Sequence, residues 1–266
     1  MPRRPLGSAA CDAWPWWFAP AGVLCAFAAT GLLAAVVIGI VTASSSADAN
    51  ASGVALALTA VQDAVFIVTA VAFAAAGGTL SAAALGLRPV GRTRLAVSVA
   101  GGLVAFLVFA ATWTAVTGQS AEQDTLESLG TDDSTTNLVL TALLVVVAAP
   151  VAEELLFRGL AYRALRNAMA PGIAAAVVGV GFGAIHYSGP DSAGVIVPLA
   201  VLGALFCLLY EWTGSLWPSI GLHVANNTLA LAATSESTAA PLASASVGLV
   251  MLAVVAVISS RPERSS

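Results

Sequence analysis

Long apolar runs dominate the chain, and short polar or glycine- and proline-containing segments separate them. A helix needs about 20 apolar residues to cross roughly 30 Å of hydrocarbon. Eight runs approach or exceed that length: Trp17–Ala43, Val54–Leu80, Leu95–Gly118, Leu138–Phe157, Pro171–Ser188, Val195–Gly214, Leu216–Thr234 and Val247–Ser260. The pattern predicts an all-α polytopic membrane protein with about eight transmembrane helices.

Composition supports this class, because 59% of the residues are hydrophobic and only 9% are charged. Soluble domains carry about 25% charged residues. The formal net charge of −4 gives no overall basic field, so nucleic acid is not expected as a partner. The lipid bilayer is the expected environment.

The arginines predict the orientation in the membrane, because cytoplasmic segments are enriched in basic residues. With both termini in the cytoplasm, every arginine falls at or near an inner segment: Arg3, Arg4, Arg88, Arg92, Arg94, Arg158, Arg163, Arg166, Arg261 and Arg264. The acidic segment Gln119–Asn137 is then external. Arginine as the sole basic residue, in an alanine-rich chain, indicates a GC-rich bacterial genome and hence a bacterial plasma membrane.

Charged residues interrupt the fourth apolar run at Glu153, Glu154 and Arg158. An ionised side chain near the bilayer centre costs at least about 2.5–3.5 kcal/mol, so such groups persist with partners and a function. Glu154 and Arg158 are four residues apart on a helix and are predicted to form a structural ion pair. Glu153 points about 100° away and is left free.

The two histidines can join Glu153 in one cavity. Pro and Gly at residues 171 and 172 predict a tight turn, which puts Glu153 and His186 at similar heights on neighbouring antiparallel helices. His223 and Asn227 share a face of a helix that starts near Pro218, within two turns of its inner end. We expect a shallow, inner-half cavity in which Glu153 is a general base and His223 and Asn227 contact an oxyanion.

Three motifs in this order are similar to those of the CAAX-protease and bacteriocin-processing (CPBP, or Abi) intramembrane endopeptidases: Glu153-Glu154-x-x-x-Arg158, Phe182-x-x-x-His186 and His223-x-x-x-Asn227. The resemblance implies an eight-helix protease with a catalytic core at residues 138–234. Residues 1–137 then hold N-terminal helices and the acidic loop, and residues 235–266 a final helix and cytoplasmic tail. It also implies peptide or membrane-protein substrates and the active-site residues Glu153, Glu154, His186, His223 and Asn227. Prenylated-protein processing and bacteriocin maturation or immunity both occur in the family.

Two alternatives stay open at this point. Glu153, His186 and His223 are candidate ligands for Zn²⁺ in a metalloprotease, although the favoured mechanism needs no cofactor. A proton-coupled transporter or a catalytically silent membrane scaffold could use the same Glu and His residues as a relay. Asp63, in the second apolar run, is expected to be a buried hydrogen-bonded acid, with a substrate or proton contact as the alternative.

Overall fold

The computed structural model describes residues 14–44, 51–78, 80–119, 129, 131, 134–189, 192–234 and 239–260. Eight helices run through these residues, and no strand occurs among them. They are α1 (Phe18–Ser44), α2 (Ala51–Ala76), α3 (Arg92–Thr117), α4 (Thr135–Arg166), α5 (Pro171–Ala184), α6 (Ala193–Thr213), α7 (Trp217–Thr234) and α8 (Ala240–Ser259). The predicted all-α fold is confirmed. Most of the acidic loop and both chain ends lie outside the described residues.

Six of the eight helices are long and apolar enough to cross a membrane: α1, α2, α3, α4, α6 and α8. The other two carry the histidine motifs. α5 has only 14 residues, and polar side chains of the candidate site lower the hydrophobicity of α7. Helix α8 begins at Ala240, earlier than the predicted Val247, because Ala and Ser residues extend the apolar run at its start.

The predicted turn between the fourth and fifth helices is confirmed. Helix α4 ends at Arg166 and α5 begins at Pro171, where the missing N–H of proline needs no partner. The start of α7 also agrees with the prediction, because the Ser215 hydroxyl accepts a hydrogen bond from the Trp217 amide at 3.3 Å. Proline and serine therefore fix both junctions from local chemistry.

One end of the bundle collects the arginines. Arg94 of α3 stacks on the Trp212 ring of α6, with its Cζ 5.0 Å from the ring centroid. Asn167, just after α4, donates to the Trp14 carbonyl before α1 at 2.8 Å, and the Val90 amide donates to Ser259 at the end of α8 at 2.8 Å. We call this the arginine end, after Arg88, Arg92, Arg94, Arg163 and Arg166. Successive helices alternate in direction with respect to it.

Helix α7 starts inside the bundle rather than at the arginine end. An added Cβ on Gly159 would lie 3.1 Å from the Leu85 carbonyl oxygen and 3.5 Å from the Leu216 side chain. Gly159 is seven residues before the end of α4, so the start of α7 is recessed by about 10 Å. His223 therefore lies farther from the arginine end than two helical turns, because the segment 80–91 and the start of α7 fold back into the bundle.

Helices α5 and α6 approach closely through small residues. A Cβ added to Gly179 would lie 2.5 Å from the Ala200 carbonyl oxygen, and one added to Gly203 would lie 2.9 Å from the Phe182 Cβ. Gly183, four residues after Gly179, leaves equally little space against α6. Such small-residue faces let membrane helices pack backbone to backbone. This contact sets the positions of Phe182 and His186.

Candidate active site

A cavity of about 380 Å³ lies among α2, α4, α5, α6 and α7. Four of the predicted catalytic residues line it: Glu153, His186, His223 and Asn227. Glu154 lies behind the wall and is fully buried. The helices that carry the motifs thus bring the predicted residues to one place.

The cavity extends away from the arginine end. On α2 its wall runs from Asp63 back to Ala55, and on α4 it runs from Glu153 back to Val145. Both directions lead toward the opposite end of the bundle. Glu153 is 18 residues after Thr135 and 13 before Arg166, which places it close to the middle of α4. The space therefore runs from the middle of α4 toward the end opposite the arginine end, and the half of the membrane in which it lies stays a prediction.

Glu154 and Arg158 form the predicted ion pair, with Arg158 Nη1 2.9 Å from Glu154 Oε1 and both side chains fully buried. Arg158 Nη2 donates to the Gly203 carbonyl of α6 at 2.8 Å. The guanidinium lies between the rings of Phe182 and Phe206, 4.5 and 4.7 Å from their centroids. Cation–π contacts of this kind strengthen when desolvated. The pair therefore ties α4 to α5 and α6.

Glu154 has a second partner that the sequence did not predict. His223 Nδ1 lies 3.2 Å from Glu154 Oε1, and the imidazole stacks on Phe206 at 4.8 Å between centroids. A carboxylate paired with arginine only accepts hydrogen bonds, so Nδ1 carries the hydrogen in this contact. The Nε2 atom of His223 then faces Glu153, 3.8 Å from its Oε2. Glu154 orients the imidazole that faces the general-base candidate.

His186 lies just past the end of α5 and is half-buried. Its Nδ1 is 2.7 Å from the Phe182 carbonyl oxygen, which can only accept, so this nitrogen carries a hydrogen. In the neutral ring Nε2 is left with a lone pair. His186 and Glu153 share the cavity without a direct hydrogen bond or ion pair between them in the described part of the chain.

Asn227 is fixed by a feature of α4. The helix widens into π-helical turns at Leu144–Ala148, where the Ala149 amide donates to the Leu144 carbonyl. The next residue is Pro150, which has no N–H, so the Val145 carbonyl loses its helical partner. Asn227 Nδ2 donates to this carbonyl at 2.9 Å, and Asn227 Oδ1 accepts from Asn226 at 3.2 Å. One of the two Nδ2 hydrogens of Asn227 remains for another acceptor.

A second π-helical segment, Glu154–Tyr162, follows Glu153 directly. Such turns are frequent at functional sites because they re-aim side chains. At its far end the Tyr162 hydroxyl donates to Glu211 at 3.0 Å, and Arg166 binds the same carboxylate through two contacts of 2.9 Å. This contact of Glu211 was not predicted from the sequence. This network joins α4 to α6 near the arginine end.

The candidate zinc ligands can be checked against the positions of the described side chains. No group of three or more His, Cys, Asp or Glu side chains within the described ranges could hold a metal ion. The Nδ1 atoms of both histidines are engaged, by Glu154 and by the Phe182 carbonyl, which leaves Nε2 of each ring for any further partner. The candidate ligands Glu153, His186 and His223 share the cavity but do not converge on one point.

Asp63 is the acidic residue of the cavity that the sequence left unassigned. It was expected to be hydrogen-bonded, yet both of its carboxylate oxygens are buried and accept no hydrogen bond from any described residue. This corrects the expectation. Only its position within an apolar run hinted at a function, and that signal does not say which side of the helix faces the site.

Comparison with known proteins finds one family similarity. Residues 135–229 match the family model described as type II CAAX prenyl endopeptidase Rce1-like. This part of the chain is similar to the CAAX-protease family. This confirms the resemblance predicted from the three motifs, all of which fall within the matched residues. No curated protein and no solved structure matches the chain.

Proposed function

We propose that the protein is an intramembrane endopeptidase that uses a water molecule activated by Glu153. The observation that carries this proposal is the convergence of Glu153, His186, His223 and Asn227 on one cavity inside a bundle of apolar helices. The match of residues 135–229 to CAAX prenyl endopeptidases supports a peptide or membrane protein as the substrate.

The proposed reaction balances with these side chains alone. Glu153 removes a proton from water, and the water oxygen attacks the carbonyl carbon of the scissile peptide bond. The C–N bond of the resulting tetrahedral intermediate then breaks, and the proton on Glu153 passes to the leaving nitrogen. His186 Nε2 is placed in the cavity to orient the water, because its Nδ1 is engaged by the Phe182 carbonyl.

The second half of the site stabilises the oxyanion in this proposal. Asn227 has one Nδ2 hydrogen beyond the one given to Val145, and the cavity is the space that it faces. His223 is held through Nδ1 by Glu154, so Nε2 is the atom presented to the substrate. For His223 to donate from Nε2 as well as from Nδ1, its imidazole must be protonated and cationic. The carboxylates of Glu153 and Glu154 then lie on either side of this positive charge. Removing one such donor typically costs about a hundredfold to a thousandfold in turnover.

The direct experiment is a cleavage assay with the purified, reconstituted protein and with Glu153→Gln. The amide keeps the shape of the side chain but cannot accept the water's proton, so turnover should fall by about a hundredfold or more with melting unchanged. In the same assay Asn227→Ala should lower kcat with little change in KM. Normal turnover by Glu153→Gln would refute the assignment. No cleavage by the wild type under any condition would favour the relay of a transporter or scaffold.

We further propose that both termini are cytoplasmic, that the membrane is a bacterial plasma membrane, and that the cavity opens toward the outside. The supporting observation is that the described arginines outside the site lie at the arginine end, whereas the cavity runs the opposite way. Such a site would take substrates presented at the outer face.

An impermeant thiol reagent tests this orientation in a variant that lacks Cys11, Cys25 and Cys207. Intact cells should label Gln119→Cys at the far end of α3 and Thr59→Cys in the cavity wall. Thr93→Cys, exposed at the arginine end, should be labelled only after permeabilisation. If Thr93→Cys alone were labelled in intact cells, the protein would have the opposite orientation in the membrane.

A further inference from the structure

Asp63 is a buried acid that neither the fold nor the proposed reaction uses. Its side chain lies in the middle part of α2, with 3% of its surface exposed, and neither carboxylate oxygen has a hydrogen-bond partner among the described residues. An unpaired carboxylate in an apolar interior costs several kcal/mol. A carboxyl group that is retained in a cavity despite this unfavourable free energy is expected to bind a molecule that enters the cavity.

Among the described residues, the cavity wall around Asp63 contains acids and amides but no arginine. Asp63 and Glu153 line the same cavity, and one oxygen of Glu153 is also without a hydrogen-bond partner. Gln62 and Thr59 continue the polar wall on α2. The guanidinium of Arg158, behind the cavity wall, is already paired with Glu154 and lies over aromatic rings. Two carboxyl groups thus face one space in which the histidines are the only basic side chains among the described lining residues.

The direction in which the cavity runs indicates the end of the bundle from which a binding partner of Asp63 enters. The cavity runs from Asp63 and Glu153 toward the end of the bundle away from the arginines. The connecting segments that the sequence places at that end contain acidic residues and no arginine. Positive charge is drawn toward a cavity whose wall carries acidic groups.

We propose that Asp63 is a substrate-binding carboxylate that receives a positively charged group of the substrate beside the scissile bond. This inference rests on the proposed endopeptidase function and deepens it by naming a substrate class. The charged group is a lysine or arginine side chain or a free α-amino group, since all three present N–H donors and a positive charge. Its arrival gives Asp63 its missing partner and leaves Glu153 to act on water.

The test uses the full-length protein in liposomes and a panel of fluorogenic hydrophobic peptides. Each peptide exists as a lysine form and a norleucine form at every position around the cleaved bond, and with a free or acetylated N-terminus. The wild type should cleave its best cationic peptide at least about tenfold more efficiently, in kcat/KM, than the neutral twin. Asp63→Asn should reduce this ratio to about one, while the neutral peptide is cleaved nearly as well as by the wild type.

Two variants keep the result interpretable. Gln62→Ala removes a neighbouring polar group without changing charge and should keep the preference, and Asp63→Glu should restore part of it. A uniform loss of kcat for all peptides in Asp63→Asn would assign Asp63 to proton transfer and overturn the proposal. An unchanged preference in Asp63→Asn would also overturn it. A melting scan of each variant separates these outcomes from misfolding.

A binding measurement separates failure of this inference from failure of the proposed function. The same labelled peptides are titrated against Glu153→Gln and against Glu153→Gln combined with Asp63→Asn. One outcome is that the cationic peptide binds more tightly only when Asp63 is present, while the wild type cleaves no peptide. This outcome would refute the endopeptidase function and support the cation site. Cleavage by the wild type with no cationic preference in either measurement would refute the cation site alone.

Discussion

The two halves of the bundle are held together by different forces. Between α1, α2 and α4 the contacts are apolar, as in the aromatic pairs Phe27–Phe66 and Phe66–Phe157 at 5.3 and 6.4 Å. Among α4 to α7 the contacts include a buried ion pair and a histidine held by a carboxylate. Apolar contacts tolerate small shifts of one helix against another. A buried ion pair instead requires a defined distance and orientation of its two side chains. The candidate catalytic residues Glu153, His186, His223 and Asn227 are carried by α4, α5 and α7 and the segment after α5, in the half that has the charged contacts.

The difference extends to the outer surfaces of the helices. α1 and α3 present large apolar side chains outward: Leu24, Leu32, Ile40, Val97, Val104, Val108 and Val116 are among them. The central part of α4 is almost entirely enclosed by its neighbours, from Ala152 to Leu165. Lipid can replace a neighbour on the first kind of surface but not on the second. Substitutions in α4 to α7 should therefore cost more than comparable ones in α1 to α3.

The largest effect on stability is expected at the buried ion pair. Glu154→Gln leaves the Arg158 guanidinium without a countercharge, and breaking a buried pair costs about 3–5 kcal/mol. Glu211→Gln is the matched control, because its pair with Arg166 is partly exposed and should cost about 1 kcal/mol or less. Thermal melting in detergent measures both variants. Equal losses would mean that burial of the pair does not decide its contribution.

A smaller effect is expected from the close approach of α5 and α6. Gly183→Ala places a methyl group against the Ala200 amide nitrogen, 2.9 Å away, and overpacking of this kind costs about 1–3 kcal/mol. In α1, Gly31→Ala meets no atom within 4 Å and should change stability by about 0.5 kcal/mol or less. Melting curves of the two variants compare the halves directly. A loss of stability in Gly31→Ala as large as that in Gly183→Ala would contradict the proposed difference between the two halves.

The sequence predicted the parts of the site that depend on local chemistry. The spacing of Glu154 and Arg158 indicated their pairing, and Pro171 and Ser215 marked the helix starts next to the two histidine motifs. These features follow from residues close together in the chain. The polar side chains within apolar runs were the signal that identified them.

The remaining features depend on contacts that no local pattern contains. The Val145 carbonyl needs Asn227 because a widened turn meets Pro150, and the pattern around Pro150 does not reveal the widening. His223 is deep because the segment before α3 folds back against Gly159. The direction of the cavity relative to the arginine end and the isolation of Asp63 follow from these tertiary contacts, so no local sequence pattern predicts them.

The measurement that tests the central claim most directly is turnover by metal-free protein. Purified enzyme is dialysed against a chelator, its metal content is determined by elemental analysis, and cleavage is assayed with Glu153→Gln as the inactive reference. With Glu153 as the proposed base, and with no group of three ligands found among the described residues, full activity is predicted with far less than one metal ion per protein. Loss of activity on dialysis that stoichiometric zinc restores would contradict the account.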